Sequence, residues 1–204
     1  VLYVFVLLVF AACQHPCVIV SKSSKIHVID SSLDEVADKE YMEYLAPIKA
    51  DLEEQLNVKI GYAPEDLKVH QPECTMLNWA TDALLAMARQ YSPEPVDIAV
   101  VNIGGMRCNW GKGNITFKHV FELMPFDNEL VVLTLSGQDL LELCQVFAKI
   151  GGEGAAGMRI KVSNGVVTEA TINGEAIDPT KQYKVATSDY LSQGNDGLTP
   201  LSHY

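Results

Sequence analysis

The sequence has no apolar run of the roughly 20 residues that a membrane-spanning helix needs. Basic residues are scarce: Lys+Arg 15 against Asp+Glu 26 leave a net charge of -11. That balance argues against non-specific nucleic-acid binding, which clustered Lys and Arg carry. It leaves room for a small anionic ligand held by one or two well-placed groups. None of the five cysteines is spaced C-x-x-C, so neither a zinc ribbon nor a thioredoxin-type site is indicated. None of the five histidines (His15, His27, His70, His119, His203) sits in a D-x-H, N-H-E or H-x-H arrangement. Two-metal hydrolysis needs clustered Asp, His and Asn ligands of that kind. Internal repeats and low-complexity tracts are also missing. What is present is ordinary for a globular chain: 204 residues, 48% hydrophobic and 20% charged, enough for one domain with its own core.

The uncharged stretch VLYVFVLLVFAA at 1–12 fits the apolar part of a secretory signal. Cys13 follows Phe10-Ala11-Ala12 directly, which resembles a bacterial lipoprotein signal with Cys13 as the lipidated residue. The expectation is a signal-type segment at 1–13, a polar tether at 14–30 and one domain at 31–204. It places the chain in a bacterial cell envelope, periplasmic or surface-exposed and held to the membrane by its lipid alone. The chain begins at Val1 and stops at Tyr204. Both ends read as cut, with the start lost and a C-terminal element missing. In an exported chain Cys17, Cys74, Cys108 and Cys144 have three possible pairings; Cys144, on an apolar helix face, reads as a buried free thiol.

Ser32-Leu33-Asp34-Glu35 has the pattern of a capping box, with a helix to about Leu56 that Pro47 would kink. Val58 to Ala63 reads as a short strand. Leu77, Ala80, Leu84, Ala88 and Tyr91 recur at helical spacing over Thr75–Tyr91. Asp97 to Val101 is a buried-strand pattern ending at a glycine turn. Glu129 to Leu135 reads as a strand, followed by a helix capped by Ser136 with Leu140, Leu141, Cys144 and Phe147 on one face. Gly151-Gly152-Glu153-Gly154 reads as a flexible loop. Met158–Val162 and Val166–Ile172 read as strands joined at Asn164-Gly165, a strong hairpin signal. Asn173-Gly174 is a second such signal, and Tyr183 to Thr187 a last strand. Helices and strands alternate early and hairpins dominate late. The fold class expected is α/β (α+β), a mixed β-sheet with flanking helices.

Three segments carry residues suited to chemistry. In Val101-Asn102-Ile103-Gly104-Gly105-Met106-Arg107 a buried strand ends and Asn, two Gly and Arg follow at once. Glycine lets the backbone approach a ligand closely, Asn offers donor and acceptor, and Arg supplies a planar fork for phosphate or carboxylate. Met124-Pro125-Phe126-Asp127-Asn128 places an aromatic on a turn. Ser188 to Gly197 follows a strand and holds Tyr190 and Asp196 among turn residues.

In order and spacing these segments resemble the C-terminal domain of the 5′-nucleotidase family. There an N-x-G-G-x-R loop, a P-F turn and an aromatic-L-x-x-G-x-D-G loop build a nucleotide pocket. The resemblance covers roughly Ser31 to Tyr204. It implies that Phe126 and Tyr190 clamp a nucleobase, that Asn102 bonds the base and that Asp196 accepts from ribose hydroxyls. Gly104 and Gly105 shape the loop, and Arg107 reaches the base or phosphate side. The family's further Arg ahead of the Thr75 helix has no counterpart in Val69–Cys74; His70 is the nearest substitute, charged only near or below pH ~6.5. The resemblance also implies a two-metal phosphatase domain, for which this chain supplies neither metal ligands nor catalytic residues. The expectation is therefore the nucleotide- or nucleoside-binding half of a 5′-nucleotidase-type phosphoester hydrolase. The divalent metal pair then belongs to a separate metallophosphatase partner chain. The alternative is an envelope lipoprotein that binds nucleosides without a catalytic role. A hydrolase using Asp196 and Glu153 as paired carboxylates is a remote third.

Overall fold

The computed structural model describes residues 19–204. The signal-type segment at 1–13, with Cys13, and the first tether residues, with Cys17, lie outside these residues. The chain divides into two units, one ending at Ile48 and one running Lys49–Tyr204. In the first, residues 19–29 are exposed and carry no helix or strand. A 3₁₀ turn, Ser31–Val36, follows. Its cap is Asp30, whose carboxylate accepts from the Ser32 N–H at 2.9 Å. Helix α1, Lys39–Leu56, starts separately after Asp38, whose side chain accepts from the Tyr41 N–H at 3.1 Å. The one continuous helix expected from Ser32 is thus two pieces. Two aspartates cap them, and Ser32 is a donor rather than the N-cap. Pro47 lies inside α1, and none of the helix's residues is buried.

In the second unit, β1 (Lys59–Ala63) pairs antiparallel with β3 (Gly113–Thr116) as a two-stranded ribbon. Between them come α2 (Thr75–Tyr91) and β2 (Ile98–Val101). After β3 come α3 (Phe117–Leu123), β4 (Leu130–Ser136), α4 (Gly137–Ile150) and β5 (Gly154–Ala156). A three-stranded sheet follows: β6 (Met158–Ser163), β7 (Val166–Ile172) and β8 (Glu175–Ala176). Asn164 and Gly165 both have positive φ (50° and 73°), as do Asn173 and Gly174 (53° and 84°). This is the backbone that makes Asn-Gly a hairpin turn. The chain closes with β9 (Gln182–Ser188), α5 (Asp189–Ser192) and two 3₁₀ turns.

The central sheet has the order β4-β9-β2-β5. It is mixed: β2 runs parallel to β9, while β4–β9 and β2–β5 are antiparallel. Every residue of β2 is buried, as a strand covered on both faces requires. Its residues alternate. Ile98 and Val100 join Val185, Leu140, Leu143 and Phe147 in the core against α4. Ala99 joins Ala186, Ala156, Leu85 and Ala88 against α2. The alanines thin that face of the sheet where α2 lies. The buried face of α2 is Met76, Leu77, Ala80, Thr81, Leu85 and Ala88; Tyr91, expected there, is exposed.

This topology decides where the three loops meet. Parallel neighbours end at the same edge, so the loops leaving β2 and β9 emerge side by side. The antiparallel strand β4 starts at that edge too, with Leu130 opposite Ser188. The 124–129 turn therefore arrives at the same place. Ligand sites at the carboxyl ends of parallel strands follow the same geometric logic.

Candidate nucleoside-binding cleft

At this edge the structure opens a cleft of about 550 Å³. All seven residues singled out in the three motifs line it: Asn102, Gly104, Gly105, Arg107, Phe126, Tyr190 and Asp196. His70 does not. It is exposed, with its Nδ1 3.3 Å from the carbonyl of Gln71.

Asn102 leaves β2 in extended conformation and precedes a 3₁₀ turn, Ile103–Gly105. Its side chain makes no capping bond to that turn. Instead its Nδ2 donates to Asp196 Oδ2 at 2.5 Å, 94 positions along the chain. Gly105 has a steric reason: a Cβ there would stand 2.9 Å from Asn102 Oδ1. Arg107 is tied by its backbone, its N–H donating to Leu123 O at 2.8 Å. Its guanidinium lies over the Phe126 ring, 5.0 Å from the centroid, a cation–π arrangement.

The third loop is bonded to itself and to the second. Ser188 caps α5 through the Leu191 N–H. Asp189 accepts from the Glu129 N–H at 3.0 Å and donates its own N–H to Glu129 O at 2.9 Å. Asn195 Nδ2 donates to Tyr190 O at 2.8 Å. Asp196 adopts φ 55°, the left-handed region that Asn and Asp tolerate best. The Tyr190 hydroxyl donates to Asp196 Oδ1 at 2.8 Å. That bond to a carboxylate pushes the phenol above its ordinary value of 10.0. Phe126 is 44% and Tyr190 40% exposed; both are large rings left open to the cleft.

Glu153 is the functional candidate that sequence reasoning misplaced. The 151–154 segment is not a loose loop. Gly151 closes α4 in left-handed conformation (φ 97°). Gln71 Nε2 then donates to the carbonyls of Ile150 and Gly152, both at 3.0 Å, and Gly154 pairs with Val101 in the sheet. Glu153 is outside the cleft lining. Its Oε2 accepts from the Ile103 N–H. Burial raises its carboxyl above the ordinary 4.5, the Ile103 bond opposes that, and nearby Asp196 adds to it. Glu153 is turned to the Ile103 N–H and lies outside the cleft that Asp196 lines, so the paired-carboxylate hydrolase has no geometric support.

Among the described residues, one histidine-containing acidic trio converges: Asp139, Glu142 and His203. His203 Nδ1 lies 2.7 Å from Asp139 Oδ1, a partner the sequence had not supplied. Asp139 is already occupied by Ser136. Three exposed or half-exposed groups outside the cleft do not make the ligand set of two metal ions. His119 is structural: with Thr116 it forms the capping box of α3. Among the described residues Cys74, Cys108 and Cys144 form no disulfide, and burial pushes the Cys144 thiol up to about 12.

Comparison with known proteins gives the family. The family model described as 5′-nucleotidase, C-terminal domain, matches residues 59–203. A 5′-nucleotidase of Vibrio vulnificus is 30% identical over 186 residues, covering 89% of this chain and 33% of that protein. Protein UshA of Escherichia coli K12 is 26% identical over 175 residues, covering 83% of this chain and 32% of its own length. The crystal structure of a 5′-nucleotidase precursor from Thermus thermophilus superposes with a TM-score of 0.69 at 26% identity. It covers 84% of this chain and 36% of that one. The chain thus spans about a third of the length of these curated relatives. It belongs to the 5′-nucleotidase C-terminal domain family.

Proposed function

We propose that the cleft binds the nucleoside part of a nucleotide, and that this chain is the substrate-binding domain of a 5′-nucleotidase-type phosphoester hydrolase. The observation that carries this reading is convergence. Residues from three loops, far apart in sequence, line one cleft at the end of the parallel strand pair. The base stacks between Tyr190 and Phe126, on the Phe126 face that Arg107 leaves free. Such stacking tolerates different bases. Each oxygen of Asp196 accepts one bond already, and each keeps a lone pair for a ribose hydroxyl. Asn102 keeps its carbonyl oxygen for a base donor. Arg107, over the Phe126 ring, reaches the base or phosphate side.

The described residues do not fit a divalent metal pair. The metals belong to a metallophosphatase unit, which we take to be a partner chain. The contribution of this chain is catalysis by positioning. A lipid anchor at Cys13 and an envelope location complete the proposal.

Calorimetric titration of the chain with adenosine and AMP tests it. Adenosine is expected to bind, Tyr190→Ala to lose about 1–3 kcal/mol, and AMP to bind no tighter than adenosine. Failure of the wild-type chain to bind either ligand would sink the reading.

A further inference from the structure

We infer that Glu153 is a positioning residue of the cleft: it holds the Ile103 N–H at the start of the 3₁₀ turn, and so fixes the backbone from which Asn102 reaches Asp196 and the ligand. This rests on the nucleoside reading of the cleft.

The argument begins with an orphan. The first N–H groups of any helical turn have no partner within the turn. An Asn at the N-cap ordinarily turns its own side chain back onto the second or third of them, which leaves the first, here Ile103, to an outside acceptor. Asn102 holds that position and does not do so. Its amide reaches across the cleft to Asp196 instead. The acceptor for Ile103 comes from a residue 50 positions away.

Glu153 is held in place to do this. In the β2–β5 ladder Val101 stands opposite Gly154. Extending that register by one residue brings Glu153 alongside Asn102. Gly154 permits the close approach: a Cβ there would stand 2.4 Å from Thr81 Oγ1 and 2.9 Å from Val101 O. On the other side, Gly152 is bonded to Gln71 and has no room for a Cβ, which would meet Pro72 O at 2.3 Å. A side chain fixed on both flanks loses little freedom when it makes its bond, which is what holding a first contact residue requires. The half-buried carboxylate also lies close enough to Asp196 for the two charges to oppose each other.

The test uses the ¹⁵N-labelled chain as wild type, Glu153→Gln and Glu153→Ala. It reads the Ile103 amide by NMR, the adenosine Kd and the Tm. Glutamine keeps an acceptor oxygen at the same reach, and alanine does not. In Glu153→Ala the Ile103 amide is expected to shift and exchange faster, and adenosine binding to weaken about three- to tenfold, the worth of one hydrogen bond. Glu153→Gln is expected to keep the Ile103 amide protected and the Kd near wild type. An unchanged Ile103 amide in Glu153→Ala overturns the inference, whatever the ligand does. So does a loss of affinity that is equal in both variants, or that only keeps step with Tm. A wild-type chain that binds no adenosine removes the functional reading, and the Ile103 amide then decides the clamp alone.

Discussion

Gly105 shows how much of the cleft depends on atoms that are not there. The Cβ that alanine would add meets the end of the Asn102 side chain, not backbone. The fold can yield by moving that side chain. Gly105→Ala is therefore expected to leave the Tm nearly unchanged and to weaken adenosine binding, because Asn102 is pushed off Asp196. Calorimetry beside thermal unfolding checks this, and an equal loss in both would contradict it. Tyr190 invites the opposite substitution. Tyr190→Phe keeps the stacking face and removes the bond to Asp196 Oδ1. It is expected to bind adenosine far better than Tyr190→Ala, with a Kd within about tenfold of wild type, since one hydrogen bond is at stake. These residues were legible in the sequence because N-x-G-G-x-R and the two aromatic turns are unusual combinations. Their mutual bonds were not: nothing local says that Asn102 meets Asp196. Glu153 was invisible as a positioning group, since a glutamate among three glycines reads as a solvated turn.

Helix α4 is an element whose limits could be read in advance. Ser136 caps it by accepting from the Asp139 N–H at 3.1 Å, and Gly151 ends it. Ser136→Ala is expected to cost about 1 kcal/mol in urea unfolding. Gly137→Ala should cost more. Its Cβ would stand 1.9 Å from the backbone carbonyl of Asp178, which cannot rotate away as a side chain can. A loss of at least ~1–3 kcal/mol is expected there, and a neutral result would mean that the 178–179 turn gives way easily. α2 and the Asn-Gly hairpins were equally legible, because helical periodicity and positive-φ turns are local signals. Strand β5 was not. Gly-Ala-Ala has no strand propensity, and only its pairing with β2 makes it a strand. The start of α1 was missed because aspartates at 30 and 38 cap two separate pieces where Ser32 offered one. The cap of α3 was missed because its third residue is His119, not Glu or Gln.

Across the molecule the fold class was legible, while the convergence of the loops was implied by the family resemblance and by no local pattern, since the parallel β2–β9 pair joins segments 87 positions apart (Ile98 with Val185). The same convergence gathers negative charge. Glu153, with its carboxyl raised by burial and then by Asp196, binds its proton more readily folded than unfolded. Its contribution to stability is full below the ordinary 4.5 and is lost as pH rises through the raised value. Urea unfolding at pH about 4 and about 7 is thus expected to show Glu153→Gln gaining on the wild type at the higher pH. A difference that does not change with pH would contradict this.

The bond between Asn102 and Asp196 also has a consequence in time. A ribosome extends a chain by about 5–20 residues per second, so the 94 residues separating these partners take roughly 5–20 s to make. Throughout that interval the Asn102 side chain lacks this partner. A nascent chain halted before Asp196 holds all four strands of the central sheet and an incomplete cleft lining. Completion of the cleft is thus a late event in the making of this domain, and it follows sheet assembly rather than guiding it.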